Sequence, residues 1–187
     1  MPPSQGRRTS LTPHPGRAAV DEYAMSKLHS TQKPNHEMLA HALQKSSESS
    51  SPTQAKFLAL QVKSMRVERV LEVGTLGEYA SVWVATENPD CKITTLEFDP
   101  RHAKVARENI EHAGVSDRIE VLEGSAVDIL PGLLKGIEGG KRERFGLTFV
   151  DADKRDDWTY FDYGVKMSYS GAAVFLCNMA CRGDLVR

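Results

Sequence analysis

The 187-residue sequence has three cysteines, few aromatic residues, almost no net charge and no apolar run long enough to cross a bilayer. Each shortage excludes something. Cys91, Cys177 and Cys181 are too few and too unevenly spaced for a disulfide framework. The Cys177/Cys181 spacing also lacks the second pair or histidine cluster of a structural zinc site. Reduced thiols and no secretory signal point to the cytoplasm. A net charge of -1 gives no attraction to nucleic acid or to an anionic membrane. What is left is a soluble chain with apolar residues for one core and hardly two.

Residues 1–17 carry Arg7, Arg8 and Arg17, and the first acid is Asp21. Transit peptides share that bias, but Pro2, Pro3, Pro13 and Pro15 oppose an amphipathic helix, so a disordered tail is expected. Residues 18–187 read as one domain. It opens with N-terminal helices over residues 18–64: Ala18 to Leu28 is weakly helical, and His36 to Lys45 is a short amphipathic stretch. After the polar run Ser46–Ser51 comes a strong helix start, with Ser51 as cap, Pro52 at the first helical position and Gln54 completing a capping box. This helix runs to about Ser64 and offers Phe57, Leu58, Leu60 and Val62 for packing.

The core of the domain, residues 67–187, alternates regularly. Strands are expected at Arg69–Val73, Lys92–Glu97, Ile119–Leu122, Leu147–Asp151 and Ala172–Leu176. Between them a helix begins near Tyr79. Another starts at Asp99-Pro100, carries Val105, Ala106 and Ile110, and stops at Gly114. A third is capped by Ser125, with Asp128 at its positive end; Gly139 and Gly140 lie in a charged loop after it. A fourth runs from about Asp157 to Tyr169. The fold class is therefore α/β: a mostly parallel sheet, right-handed crossovers and helices on both faces. Ligands of such sheets bind beyond the carboxyl ends of the strands, here near Gly74, Glu97, Ser125, Asp151 and Asn178.

The first turn, LEVGTLGE, places Glu72, Gly74, Gly77 and Glu78 around that site. Its glycines serve either a tight strand-to-helix turn or close approach of the backbone to a nucleotide. A dinucleotide fits poorly, because G-x-G-x-x-G is absent and two glutamates would repel a diphosphate. S-adenosylmethionine, with its sulfonium and ammonium, fits better. Glu97 stands at the spacing of a ribose-binding acid, although a solvated strand-end acid has the same appearance. Asp151 with Lys154, and Asn178, are equally readable as turn residues when taken alone.

Taken together, SPTQAKFL (51–58), VLEVGTLGEYASVW (70–83), TLEFDPRHAKVARENIEHAG (95–114), FVDADK (149–154) and CNMACRG (177–183) resemble the catechol/caffeoyl-CoA-like O-methyltransferases, the small metal-dependent microbial and fungal members in particular. The likeness extends from about Val20 to Gly183. It implies a Rossmann-like class I methyltransferase fold and methyl transfer from S-adenosylmethionine to a hydroxyl of a small catechol-like or phenolic acceptor. Glu72, Gly74, Gly77 and Tyr79 would line the methionine side of the donor, Glu97 would hold the ribose, and Ser125 and Ala126 would lie against the adenine. Asp151 would be the first ligand of a divalent metal, magnesium in the family, and Asn178 the last. Lys154 would accept the proton of the acceptor hydroxyl. Relatives are commonly homodimers.

Three departures bear on activity. Cys177 stands where relatives carry an aspartate, and a thiol is a poor ligand for a hard cation, so weakened magnesium binding or a shift to a softer metal is expected. Gly77-Glu78-Tyr79-Ala80 replaces the usual Gly-Gly-Tyr-Ser, removing a hydroxyl and adding a charge near the donor carboxylate. Relatives also continue through a final pair of strands that are missing before Arg187. A catalytically impaired protein of the same fold is the competing expectation; an NAD-dependent oxidoreductase is disfavoured by the glycine spacing.

Overall fold

The computed structural model describes residues 52–75, 79–153 and 155–177. The tail, the first two helical segments, the Ser51 cap, Gly77, Glu78, Lys154 and everything from Asn178 onward lie outside the described residues. Within them the chain forms α1 (Pro52–Met65), β1 (Arg69–Val73), α2 (Tyr79–Glu87), β2 (Lys92–Glu97), α3 (Pro100–His112), β3 (Ile119–Glu123), α4 (Ala126–Glu138), β4 (Phe145–Val150), α5 (Asp157–Met167) and β5 (Ser168–Leu176). No described helix is long and apolar enough to cross a membrane.

The strands make one parallel sheet in the order β3-β2-β1-β4-β5. This is the doubly wound, Rossmann-like arrangement expected from the alternation of elements. Parallel central strands are covered on both sides, which is why β1 and β4 are buried almost throughout, Glu72 included. Period-two alternation then sorts the core into two layers. Val70, Ile93, Leu147 and Phe149 pack with α1, α2 and the end of α3. Leu71, Val73, Leu96 and Val150 pack with α4 and α5. The order reverses between β1 and β4, opening a crevice at their carboxyl ends.

Helix α1 is pinned to α2 by a shared acid. Glu87 Oε1 accepts Lys56 Nζ at 2.7 Å and the indole N–H of Trp83 at 2.7 Å, while Trp83 itself is buried. The packing face of α1 is Ala55, Leu58, Ala59 and Val62. Two expected members are not in it: Phe57 and Leu60 are about two-fifths exposed. In a helix, positions 55, 58, 59 and 62 share one stripe, and 57 and 60 fall on the opposite side. Phe57 instead meets the Phe175 ring of β5 edge-on, with centroids 5.5 Å apart.

Asp99 caps α3 as anticipated, its Oδ1 accepting from Arg101 N at 2.8 Å. Gly114, at φ 67°, stops it. Gly114 N reaches Glu111 O and Val115 N reaches Ile110 O, so the last carbonyls are satisfied while Ile110 and Val115 stay buried. Helix α4 ends in the same way at Gly140, φ 68°. Strand β5 is longer than the expected Ala172–Leu176. Its first half bulges, with Phe145 opposite Ser168 but Leu147 opposite Ala173, and Gly171 at φ 91° takes up the irregularity.

Helix α1 uses the same terminal motif with the wrong residue for it. Val67 N bonds Val62 O at 2.9 Å, and the left-handed position is filled by Arg66 at φ 54°. A side chain there costs about 1 kcal/mol that glycine avoids, partly offset by glycine's freer unfolded chain. Arg66→Gly is therefore expected to stabilise the protein by roughly 0.5 kcal/mol, read as a higher urea midpoint at unchanged m-value.

Candidate functional site

A cavity of about 550 Å³ lies at the crevice, bounded by the carboxyl ends of β1 to β4 and the loop before α5. Five acids line it: Glu72, Glu97, Asp151, Asp153 and Asp156. Among the described lining residues Arg155 is the one base, and Asp153 takes up its charge at 2.7 Å. Such a field favours a cationic guest and opposes a diphosphate.

Glu72 is the buried centre of this field. On β1 its register partner on β2 is Thr95. Its Oε2 accepts the Thr95 hydroxyl at 2.8 Å and the Ser81 hydroxyl of α2 at 2.7 Å. Thr75, just past β1, shares a hydrogen bond with Thr95 in turn. Burial pushes the Glu72 carboxyl up to about 7, with Asp151 and Glu97 adding repulsion and the two hydroxyls opposing it.

Gly74 answers the question its turn left open. At φ 97° it adopts a conformation side chains avoid, and a Cβ there would run into the carbonyl of Asp151. Asp151 N also donates to Val73 O at 2.9 Å. The glycine lets β1 and β4 touch backbone to backbone, and it borders the cavity as a consequence. Gly124, at φ 140°, makes the equivalent turn after β3, its N–H on Glu97 O.

Tyr79, Ser125 and Ala126, which the family likeness assigns to the donor, all line the cavity. Tyr79 is buried against Trp83 in an edge-on contact, and burial raises its hydroxyl far above the usual range. Ser125 occupies the N-cap position of α4, yet its side chain makes no cap hydrogen bond; that expectation is corrected. Its carbonyl accepts from Asp128 and Ile129, which leaves the hydroxyl on the cavity wall. Ala80 has no hydroxyl to offer, and that of the neighbouring Ser81 is already bonded to Glu72. Glu97, at the end of β2, is 7% exposed, and its Oε1 accepts from Asp99 N at 2.9 Å.

Asp151 and Cys177 follow β4 and β5 at adjacent strand ends, with Cys177 N on Val150 O at 2.8 Å. The Cys177 sulfur accepts the side-chain amide of Gln54 from α1. No group of three His, Cys, Asp or Glu residues able to hold a metal occurs among the described residues. One carboxylate beside a thiol does not fit magnesium, which takes oxygen ligands. Asn178 and Lys154 lie outside the described residues, as does Gly77. Cys91 is a core thiol that burial pushes up to about 12, remote from this chemistry.

A sequence profile of the O-methyltransferase family matches residues 23–187. The chain belongs to that family. It is 48% identical over 179 residues to the O-methyltransferase imqG of Aspergillus flavus, covering 92% of this chain and 72% of that one. To a catechol O-methyltransferase of Mycobacterium tuberculosis it is 39% identical over 137 residues, 73% of this chain and 59% of the relative. The O-methyltransferase of Bacillus cereus, solved in complex with SAH, superposes with a TM-score of 0.75 at 36% identity, over 88% of this chain and 74% of that one.

The sequence pointed to the strand-end residues that line the cavity but not to the residues that support them. Ser81, Thr95 and Thr75 are buried polar residues, and the signal was available: a threonine in a strand covered on both faces needs a partner. Phe98, three-quarters exposed at the cavity wall, gave no signal beyond its position after Glu97.

The raised Glu72 carboxyl sets a pH dependence. Between its unfolded value of 4.5 and its folded value of about 7, the native chain holds a proton that the unfolded chain has lost. Stability from this group is therefore present below pH 4.5 and falls as pH rises through 7, by on the order of 3 kcal/mol. Urea unfolding of the unliganded protein should show that decline, and Glu72→Gln should flatten it.

Proposed function

We propose that the chain binds S-adenosylmethionine in the crevice and transfers its methyl group to a hydroxyl of a small phenolic, catechol-like acceptor. The observation that carries the reading is the acid-lined cavity at the β1/β4 switch point: buried Glu72 and Glu97 stand on adjacent strands and no described lining base is left uncommitted. The donor's sulfonium and ammonium relieve the mutual repulsion of these carboxylates. Glu97 is suited to accept hydrogen bonds from both ribose hydroxyls, and Gly74 and Tyr79 border the methionine side. Ser125, with its hydroxyl unused by α4, and Ala126 take the adenine side. The catechol O-methyltransferase among the relatives, and the Bacillus cereus structure with SAH, support the donor and the acceptor class.

The chemistry is an in-line displacement. An acceptor oxygen forms a bond to the methyl carbon as the carbon–sulfur bond breaks, and the electron pair of that bond stays on sulfur to give S-adenosylhomocysteine. The acceptor's proton goes to a base, for which Lys154 is the proposed residue. The protein's contribution is to fix the two reactants in line and to exclude water.

Calorimetric titration with S-adenosylhomocysteine is expected to give micromolar binding, and incubation with S-adenosylmethionine and a dihydroxybenzoate should give a methylated product. Glu97→Ala should weaken S-adenosylhomocysteine binding by roughly 1–3 kcal/mol, about five- to 150-fold, while the thermal midpoint stays close to wild type. A folded protein that binds neither form of the donor removes the reading.

A further inference from the structure

Three features stand outside the mechanism above: the arginine-rich hollow at the opposite end of the sheet, the exposed Trp158–Val165 face of α5, and the corner where α1 meets the ends of β4 and β5. Two of the hollow's arginines, Arg69 and Arg144, are already engaged with Glu143 and with carbonyls of α5 and β5, and nothing shows what covers α5. The corner carries an argument.

We propose that this chain has no resident hard-cation site between β4 and β5, and that a side-chain contact from α1 closes that corner in its place. The inference rests on the family reading, which puts a divalent metal there. Three observations support it. Parallel pairing of Val150 with Leu176 brings Asp151 and Cys177 side by side, so the second strand end supplies sulfur where magnesium needs oxygen. The Cys177 sulfur is turned toward α1 and accepts the Gln54 amide across 123 residues of sequence. One turn further along α1, Phe57 lies edge-on against Phe175, so the helix meets the end of β5 at two points. A hard metal ion at Cys177 would share the sulfur with the Gln54 amide and accept a ligand of the wrong hardness.

Two consequences follow. The carboxylates Asp151, Glu97 and Glu72 receive no metal charge, so the donor's own cationic groups neutralise them and donor affinity is independent of magnesium. Gln54 becomes a positioning residue for the β5 end rather than a helix-start residue alone.

The test is a magnesium chloride titration of the wild-type protein by calorimetry, without any other ligand. No saturable binding up to about 10 mM is expected, whereas Cys177→Asp should bring binding to about 1 mM or tighter, a gain of tenfold or more. Saturable wild-type binding at or below about 1 mM overturns the proposal. Should Cys177→Asp fail to fold, the wild-type titration still decides. A second measurement reads the contact itself: Gln54→Ala should accelerate hydrogen exchange at the Cys177 amide, which bonds Val150 O, without affecting amides in β2. Unchanged exchange there removes the positioning role. S-adenosylhomocysteine titrated with and without magnesium separates the two readings, since loss of binding under both conditions strikes the donor site and magnesium-enhanced binding strikes only this inference.

Discussion

The geometry of the crevice depends on one backbone contact, the approach of Gly74 to the peptide of Asp151. The ladder between β1 and β4 runs Val70–Leu147 to Val73–Val150, and the Asp151 N–H extends it by one bond to Val73 O. Beyond that point the chains must diverge, β1 into the turn toward α2 and β4 toward α5. Only a residue without Cβ, at positive φ, can turn away while still touching the neighbouring carbonyl. This contact sets the separation between the Glu72 side of the cavity and the Asp151 side. A methyl group there would push the two walls apart, whatever ligand the cavity takes.

Around that contact the sheet register does the assembling. Glu72, opposite Thr95 on β2, points into the layer that holds α2, and Ser81 on the first turns of α2 completes its hydrogen bonds. The same alternation sends Leu71 and Val73 to the other layer. A shift of one residue in the β1–β2 pairing would place the carboxylate among the leucines of α4, where nothing satisfies it. Satisfying the acid and choosing the register are therefore one event.

This explains which parts were readable from residues alone. Asp99-Pro100, Gly114 and the strand cores follow from local rules, and the structure has them where expected, because caps and left-handed terminators depend only on near neighbours. Phe57, Leu60 and Ser125 went otherwise for reasons outside that range. Helix α1 chose its buried stripe by the shape of α2 and the sheet, and α4 satisfies its first turn without the serine hydroxyl. The bulge of β5 depends on Tyr169 lying across Gly146, a contact between strands that no single segment displays. In the site, Glu72 and Glu97 were visible as acids at strand ends, but the threonine and serine network around Glu72 required the register.

The Glu72 carboxyl, which burial holds near 7, destabilises the empty protein at neutral pH, and replacing it with an apolar residue of similar size would remove that penalty. Its two hydroxyl donors reduce the cost without cancelling it, since desolvation is the larger influence. A fold that needed only a core at this position would have no use for the acid, because the neighbouring pairs on the same face are satisfied by isoleucine and phenylalanine. A positive charge entering the cavity would offset that penalty, since a cation beside Glu72 would favour its ionised form and relieve its repulsion with Glu97 and Asp151. On the proposed function, stability forgone in the empty state would become selectivity for a charged guest, and among nucleosides that requirement would separate a sulfonium donor from a diphosphate cofactor.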